Sequence, residues 1–236
     1  MSRLIVGTSG FSYPSWKPAF YPDKLPSKKF LNYYATRLNG VELNYTFHRL
    51  PSQSSIEGWL ADTESGFTFV LKAHQKITHF QRLTPGSEFT PVFFKAIDAL
   101  RLQRRLGPVL FQLPPNLACD LPRLEGFLND IPEDVRCAFE FRNPSWFQDP
   151  VYRLLESRKL ALCLAESDKL LVPKEITADF VYFRLRKSEY LPEERAEIAA
   201  QVKQLLASGK DVYVFFKHEE SPAGALYAEE LLKSAA

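Results

Sequence analysis

Six apolar runs in this chain, VELNYT, FTFVLK, VLFQL, CAFEFR, VYFRLR and VYVFFK, end by placing charged or amide side chains on one strand face. Side chains alternate along a strand, so Val41, Leu43, Phe67, Phe69, Phe139, Phe141, Val181 and Phe183 fall on one side. The other side carries Glu42, Asn44, Lys72, Gln112, Glu140, Arg142, Arg184, Arg186 and Lys217. All of these lie at or near strand C-terminal ends. A chain with one apolar and one polar strand face, repeated at distant points, has to bring its polar ends together somewhere.

The spacing predicts strands near residues 3–9, 40–46, 67–72, 108–113, 136–142, 160–166, 180–186 and 211–217. Helical patterns lie between them: SKKFLNYYATRL, QSSIEGWLADT, TPVFFKAIDALRLQRRL, LPRLEGFLNDI, DPVYRLLESRK and LPEERAEIAAQVKQLLASG, with SPAGALYAEELLKS last. Ser27, Thr90 before Pro91 and Ser221 before Pro222 are expected to cap helix starts, and Gly209 to stop a helix. This order predicts an α/β chain, residues 1–236 forming a single-domain TIM-like (β/α)8 barrel. Between strands six and seven, LLVPKEITAD leaves the helix reduced or missing. An open flavodoxin-like sheet is the structural alternative, but helices would cover both of its faces and leave a consistently polar one unexplained.

Hydrophobic residues make up 45% and aromatic residues 14% of 236 positions, enough for a full core and too much for a disordered chain. A net charge of +2 provides no strongly basic overall field, although a local basic patch is compatible with it. Cys119, Cys137 and Cys163 are odd in number and unpaired by motif, which predicts neither a disulfide framework nor a zinc ribbon. No signal-peptide or membrane-spanning stretch is evident, so a cytoplasmic protein is expected.

The strings VELNYTFHRLP, LKAHQKITHF, LGPVLFQLPP and FEFRNPSW resemble, in order and spacing, the motifs of the YecE-like family, the domain of unknown function numbered 72. GTSGFSYPSW, VYFRL and GALYAEEL extend the similarity over nearly the whole chain. The resemblance implies a TIM-like barrel and no particular activity. Matching positions are Glu42, Asn44, Lys72, His79, Gln112, Glu140, Arg142, Trp146 and Arg184. The chain departs from the family pattern at His48, where Tyr is frequent, at Asn143, where His is, and at Arg186–Lys187, where a His-Gly pair is. Each departure removes or relocates an imidazole, which weakens the case for a shared metal site. Likeness to the endonuclease IV and xylose isomerase barrels is an analogy of fold.

Glu140 and Arg142, two apart on one face, together with Glu42, Lys72 and Arg184, predict an anion-binding mouth with Glu140 or Glu42 as acid/base. Asn44, Gln112, His79, Lys217, Trp16 and Trp146 complete the expected ligand-binding set. The alternative is an internal salt-bridge network, although a barrel can fill its interior with aliphatic residues and avoid burying ions. Phe11, Tyr13, Trp16, Phe20, Tyr21, Tyr45, Phe47, Phe80, Trp146 and Phe147 form either a stacking rim or a hydrophobic plug. The run Arg101, Gln103, Arg104, Arg105 is expected as a solvated helix end, and Glu193 to Glu197 as its acidic counterpart at a helix start.

His48, His74, His79 and His218 show no ligand spacing, even with Glu166 and Asp168 added, so neither metal nor cofactor is expected. Serine-hydrolase, P-loop and Rossmann fingerprints are absent. The expected ligand is a small anion bearing a phosphate and a ring, sugar-like or nucleotide-like, acted on by a hydrolase or lyase. The rivals are a non-catalytic nucleic-acid binder and a metal-dependent phosphodiesterase resembling endonuclease IV. No membrane partner is expected, and the oligomeric state is open.

Overall fold

Each strand-like run forms a strand: β1 (Leu4–Thr8), β2 (Gly40–Leu43), β3 (Thr68–Lys72), β4 (Leu106–Gln112), β5 (Cys137–Glu140), β6 (Ala161–Ala165), β7 (Phe180–Leu185) and β8 (Asp211–Phe216). The computed structural model describes residues 2–217 and 220–235, so His218 lies outside them. All pairings are parallel, in the order β1-β8-β7-β6-β5-β4-β3-β2. The helices are α1 (Phe30–Ala35), α2 (Gln53–Ala61), α3 (Phe89–Leu102), α4 (Leu121–Leu128), α5 (Asp149–Ser157), α6 (Pro192–Ala207) and α7 (Ala223–Ala235). No helix joins β6 to β7, as the Pro-bearing connection predicts. The fold is an α/β barrel, nearly closed.

The expected alternation holds. Val41, Leu43, Phe67, Phe69, Phe139, Phe141, Val181 and Phe183 are buried in one cluster with helix residues such as Phe93, Phe127, Leu155 and Ala228. Inside the barrel, small Ala138, Ala161, Cys163 and Ala165 make room for Tyr182, Tyr213 and Phe215.

Closure between β1 and β2 relies on side chains. The Asn39 amide accepts from Val6 N (2.8 Å) and donates to the Leu4 carbonyl (2.7 Å). The Tyr34 hydroxyl accepts from Thr8 N (2.8 Å) and donates to the Gly40 carbonyl (3.0 Å). Gly10 N then donates to the Glu42 carbonyl at 2.8 Å. The strands cross so closely that a Cβ on Gly7 would lie 1.9 Å from the Gly40 carbonyl oxygen. Backbone cannot yield as a flexible side chain can, so Gly7→Ala is expected to cost about 3 kcal/mol or more in urea unfolding, the upper end of overpacking. A loss below about 1 kcal/mol would mean the seam opens freely.

Capping follows other residues than expected. Ser52 accepts from Ser55 N (3.1 Å) and Asp120 from Arg123 N (3.1 Å). Helix α3 starts one residue before Thr90, whose hydroxyl is buried without a partner, because Pro91 is tolerated anywhere in a first turn. Ser27 opens a short 3-10 turn ahead of α1 with no side-chain cap, whereas Ser221 does reach Ala223 N, at 3.4 Å. Gly209, at φ +85°, follows α6 as predicted. Arg105 is also a correction: it is buried under β3, donating from Nε to the Phe67 carbonyl (2.6 Å) and from a terminal nitrogen to Thr63 Oγ1 (2.6 Å). Arg104 at φ +55° turns the chain inward and carries its neighbour out of solvent.

Candidate functional site

Lys72, Gln112 and Glu140 are the last residues of β3, β4 and β5, Arg184 is next to last in β7, and Glu42 sits near the end of β2. All five therefore share the C-terminal layer of the barrel interior, where strand geometry aims them at the axis. The register puts Gln112 opposite Glu140 and Ala165 opposite Arg184, so a small residue stands beside the guanidinium.

Arg184 is the hub. It grips Glu42 through Nε (2.8 Å) and one terminal nitrogen (2.6 Å), and reaches Glu140 with the other (2.6 Å). All three residues are at most 2% exposed, so the charges survive only by pairing. Ser9 (2.6 Å) and the Tyr182 hydroxyl (2.7 Å) also donate to Glu42. Glu140 accepts from Gln112 (2.8 Å), Arg142 Nε (3.1 Å) and Arg186 (2.9 and 3.1 Å). Gln112 in turn accepts from Lys72 Nζ at 2.8 Å, and Nζ lies 4.0 Å from the centre of the Phe47 ring.

These contacts set the protonation states. Burial pushes the Glu140 carboxyl up, but Arg184, Arg186 and Arg142 outweigh it and hold the group well below the usual carboxylate range. Glu42 is likewise lowered: burial opposes, and Arg184, Ser9 and Tyr182 prevail. Both are thus held as carboxylates, the form in which a carboxyl accepts a proton and does not donate one. Lys72 is also lowered, which for an amine favours the neutral form. Burial, then Arg184, lower it to about 8 against the pull of Glu140 and Glu42. His79, on the turn after β3, is lowered by burial and by Lys72, Arg142 and Arg82. Its ring stands edge-on to Phe47 at 4.9 Å.

Counting charges, Arg142, Arg184, Arg186 and Lys72 supply four positive and Glu42 and Glu140 two negative, an excess of two. Arg186 Nε is buried without a partner. Asn44, partly buried at the end of β2, also has an unpartnered buried oxygen, and with Gly10, Phe11, Tyr13, Tyr45 and Trp59 it lines a separate cavity of about 450 Å³ between the loops after β1 and β2 and α2. Lys217 is exposed just past β8.

Trp16 and Trp146 do not face this mouth. Trp16 is fully buried against Tyr13, Phe20 and Tyr21. Trp146 stacks on Phe141 at 4.7 Å and donates Nε1 to the Leu117 carbonyl at 2.8 Å. Large planar rings beside barrel ends lower the free energy more by burial than by waiting for a ligand, so these belong to the plug. The rings left in solvent are Tyr45 and Phe80, 44% and 71% exposed.

A family model described as "protein of unknown function DUF72" matches residues 5–236. The chain belongs to the DUF72 family. The UPF0759 protein YunF of Bacillus subtilis (strain 168) is 32% identical over 140 residues, 57% of this chain and 50% of that one. The UPF0759 protein YecE of Escherichia coli (strain K12) is 27% identical over 145 residues, 61% and 50% of the respective chains. The match thus spans about half the length of these curated relatives. Among solved structures, the DUF72 family protein TM1631 of Thermotoga maritima MSB8 superposes with a TM-score of 0.87 and 28% identity over 98% of both chains. An AP endonuclease, family 2, from Brucella melitensis shares the fold at a TM-score of 0.51 and 12% identity, over 93% of each chain.

Ser9 and Tyr182 are residues of this DUF72 mouth that the sequence did not single out, whereas Arg186 was expected on its polar face and Phe47 among its rings. Tyr182 lies two before Arg184 on the same face, a signal the strand period contains. Ser9 and Phe47 come from loops, where no period applies. Among the described residues, no three His, Cys, Asp or Glu side chains stand together as metal ligands, and no helix is long and apolar enough to cross a membrane. Glu166 accepts from the Tyr190 hydroxyl and from Arg186 N, which fixes the turn after β7.

Proposed function

We propose that this barrel binds a small anion, a phosphate- or carboxylate-bearing compound, at the C-terminal mouth. The observation that carries this is the excess of two positive charges around Glu140. Arg184, the fully buried cation, is matched by Glu42 and Glu140, so the excess falls on Arg142, Arg186 and Lys72, which are partly exposed and within reach of an incoming anion. Arg142 and Arg186 have the fork geometry that suits oxyanions, such as the phosphate of a sugar-like or nucleotide-like molecule. With both carboxylates held ionised, they would organise the cations, and the proton donor of a hydrolase or lyase would come from another group such as Lys72 or His79. A cytoplasmic setting fits the three free thiols.

Exposed Tyr45 and Phe80 favour a second reading, in which the anion is the backbone of a single-stranded nucleic acid stacked on the rim. Thermal melting separates the outcomes. Inorganic phosphate at about 100 times its Kd should raise Tm by roughly 5 to 10 °C over chloride of equal ionic strength. No rise beyond the chloride control would remove the anion site. Oligonucleotide affinity that falls steeply with salt, without a phosphate effect, would favour the nucleic-acid reading.

A further inference from the structure

Three of the four cations in the mouth are arginines, which keep their protons under all working conditions. Lys72 differs in chemistry and in surroundings. Arg142, Arg184 and Arg186 each contact Glu140, whereas Lys72 Nζ has, among the described residues, no carboxylate within ion-pair reach. Its hydrogen-bond acceptor is the neutral Gln112 amide, and its other neighbour is the Phe47 ring. The amine is partly buried at the end of β3, on the face that opens to the mouth.

We propose that Lys72 is a nucleophile that forms an imine with an aldehyde or ketone bearing a phosphate or carboxylate, the arginines holding the anionic group. This rests on the anion-binding reading above and adds a reaction to it. Burial first and Arg184 second lower the Lys72 ammonium to about 8, with Arg142 acting the same way and Glu140 and Glu42 against. At pH 7.5 about a quarter of the amine is then neutral, against about a thousandth for an ordinary lysine. The neutral nitrogen attacks the carbonyl carbon, and the π pair of the C=O bond moves to oxygen. A proton passes from nitrogen to that oxygen to give the carbinolamine. The C–O bond then breaks, water leaves with one further proton taken from solvent, and the protonated imine remains. No oxidant, reductant or cofactor enters the balance.

Reductive trapping tests it. The full chain is incubated with dihydroxyacetone phosphate or pyruvate, and with uncharged dihydroxyacetone as control, then reduced with sodium borohydride and mapped by mass spectrometry. The expected result is one adduct per chain on the Lys72 peptide, at least about tenfold more with a charged probe than with dihydroxyacetone, since the arginines hold its carbonyl near the amine. Inorganic phosphate should protect. Lys72→Arg, which keeps the charge and a donor for Gln112, should lose the adduct; if that variant does not fold, the wild-type peptide map decides. Label spread over other lysines, equal labelling by dihydroxyacetone, or an adduct that survives Lys72→Arg overturns the proposal. If phosphate raises Tm and no charged probe labels Lys72, the imine is wrong and the anion site stands; if neither occurs, both fall.

Discussion

Arg184→Met is expected to destabilise the protein by at least about 3 to 5 kcal/mol, the range for removing one member of a buried ion pair. The upper end applies because one guanidinium serves two carboxylates, each at most 2% exposed. Glu140 would retain Gln112, Arg142 and Arg186, but Glu42 would be left with Ser9 and Tyr182, two neutral donors. The Glu42 part of the pH profile should change sign with the loss. In the wild type both carboxyls are lowered in the folded state, so their stabilisation is complete above the unfolded carboxylate range, near pH 4 to 5, and is lost as pH falls through it and below. In the variant, burial would act on Glu42 with only the more distant Lys72 against it and raise it, so the Glu42 contribution would be present at low pH and lost as pH rises, while Glu140, still held by Arg142 and Arg186, would keep the wild-type direction. Urea unfolding at pH 5 and pH 7 measures both effects. A variant that loses under about 1 kcal/mol and keeps the wild-type profile would show that water already screens the pair.

Arg142→Ala should do the opposite: abolish stabilisation by phosphate while leaving the unliganded protein within about 1 kcal/mol of wild type. The Arg142 side chain is 38% exposed, and its partner Glu140 keeps Arg184, Arg186 and Gln112 when it is gone. Its hydrogen bond to Glu140 runs through Nε, so the terminal nitrogens are the part of the fork offered to an incoming oxyanion. Titration of wild type and variant with phosphate, followed by melting temperature, reads both quantities. If the variant loses about 3 kcal/mol or more and still responds to phosphate like the wild type, Arg142 is a structural residue, and the proposed role of this cluster is withdrawn.

The strand faces and the polar C-terminal layer were legible in the sequence because they follow from a period of two. Glu140 and Arg142, or Tyr182 and Arg184, need only strand geometry to share a side. The missing helix after β6 was visible for a similar reason, since proline acts on its own neighbourhood. Rings and loops were not legible. Trp16 and Trp146 read equally well as a rim or a plug, and burial against Tyr21 and Phe141 resolved them. Arg105 looked like a solvated helix end because nothing local announces that Arg104 turns the chain under β3.

What the sequence determined by itself was the alternation of elements, the inward set of charges and the helix stops, all consequences of spacing within about ten residues. Only the tertiary structure decided which charges meet. Arg184 and Glu42 are separated by 142 positions, and their bidentate contact exists because β2 and β7 face each other across the nearly closed barrel. Closure in turn depends on Asn39 and Tyr34 bridging a seam that no periodicity describes. The lowered Lys72 amine is the furthest from sequence. Its state depends on burial and on Arg184 from another strand, and electrostatic energy depends on distance and dielectric in space, neither of which is encoded along the chain.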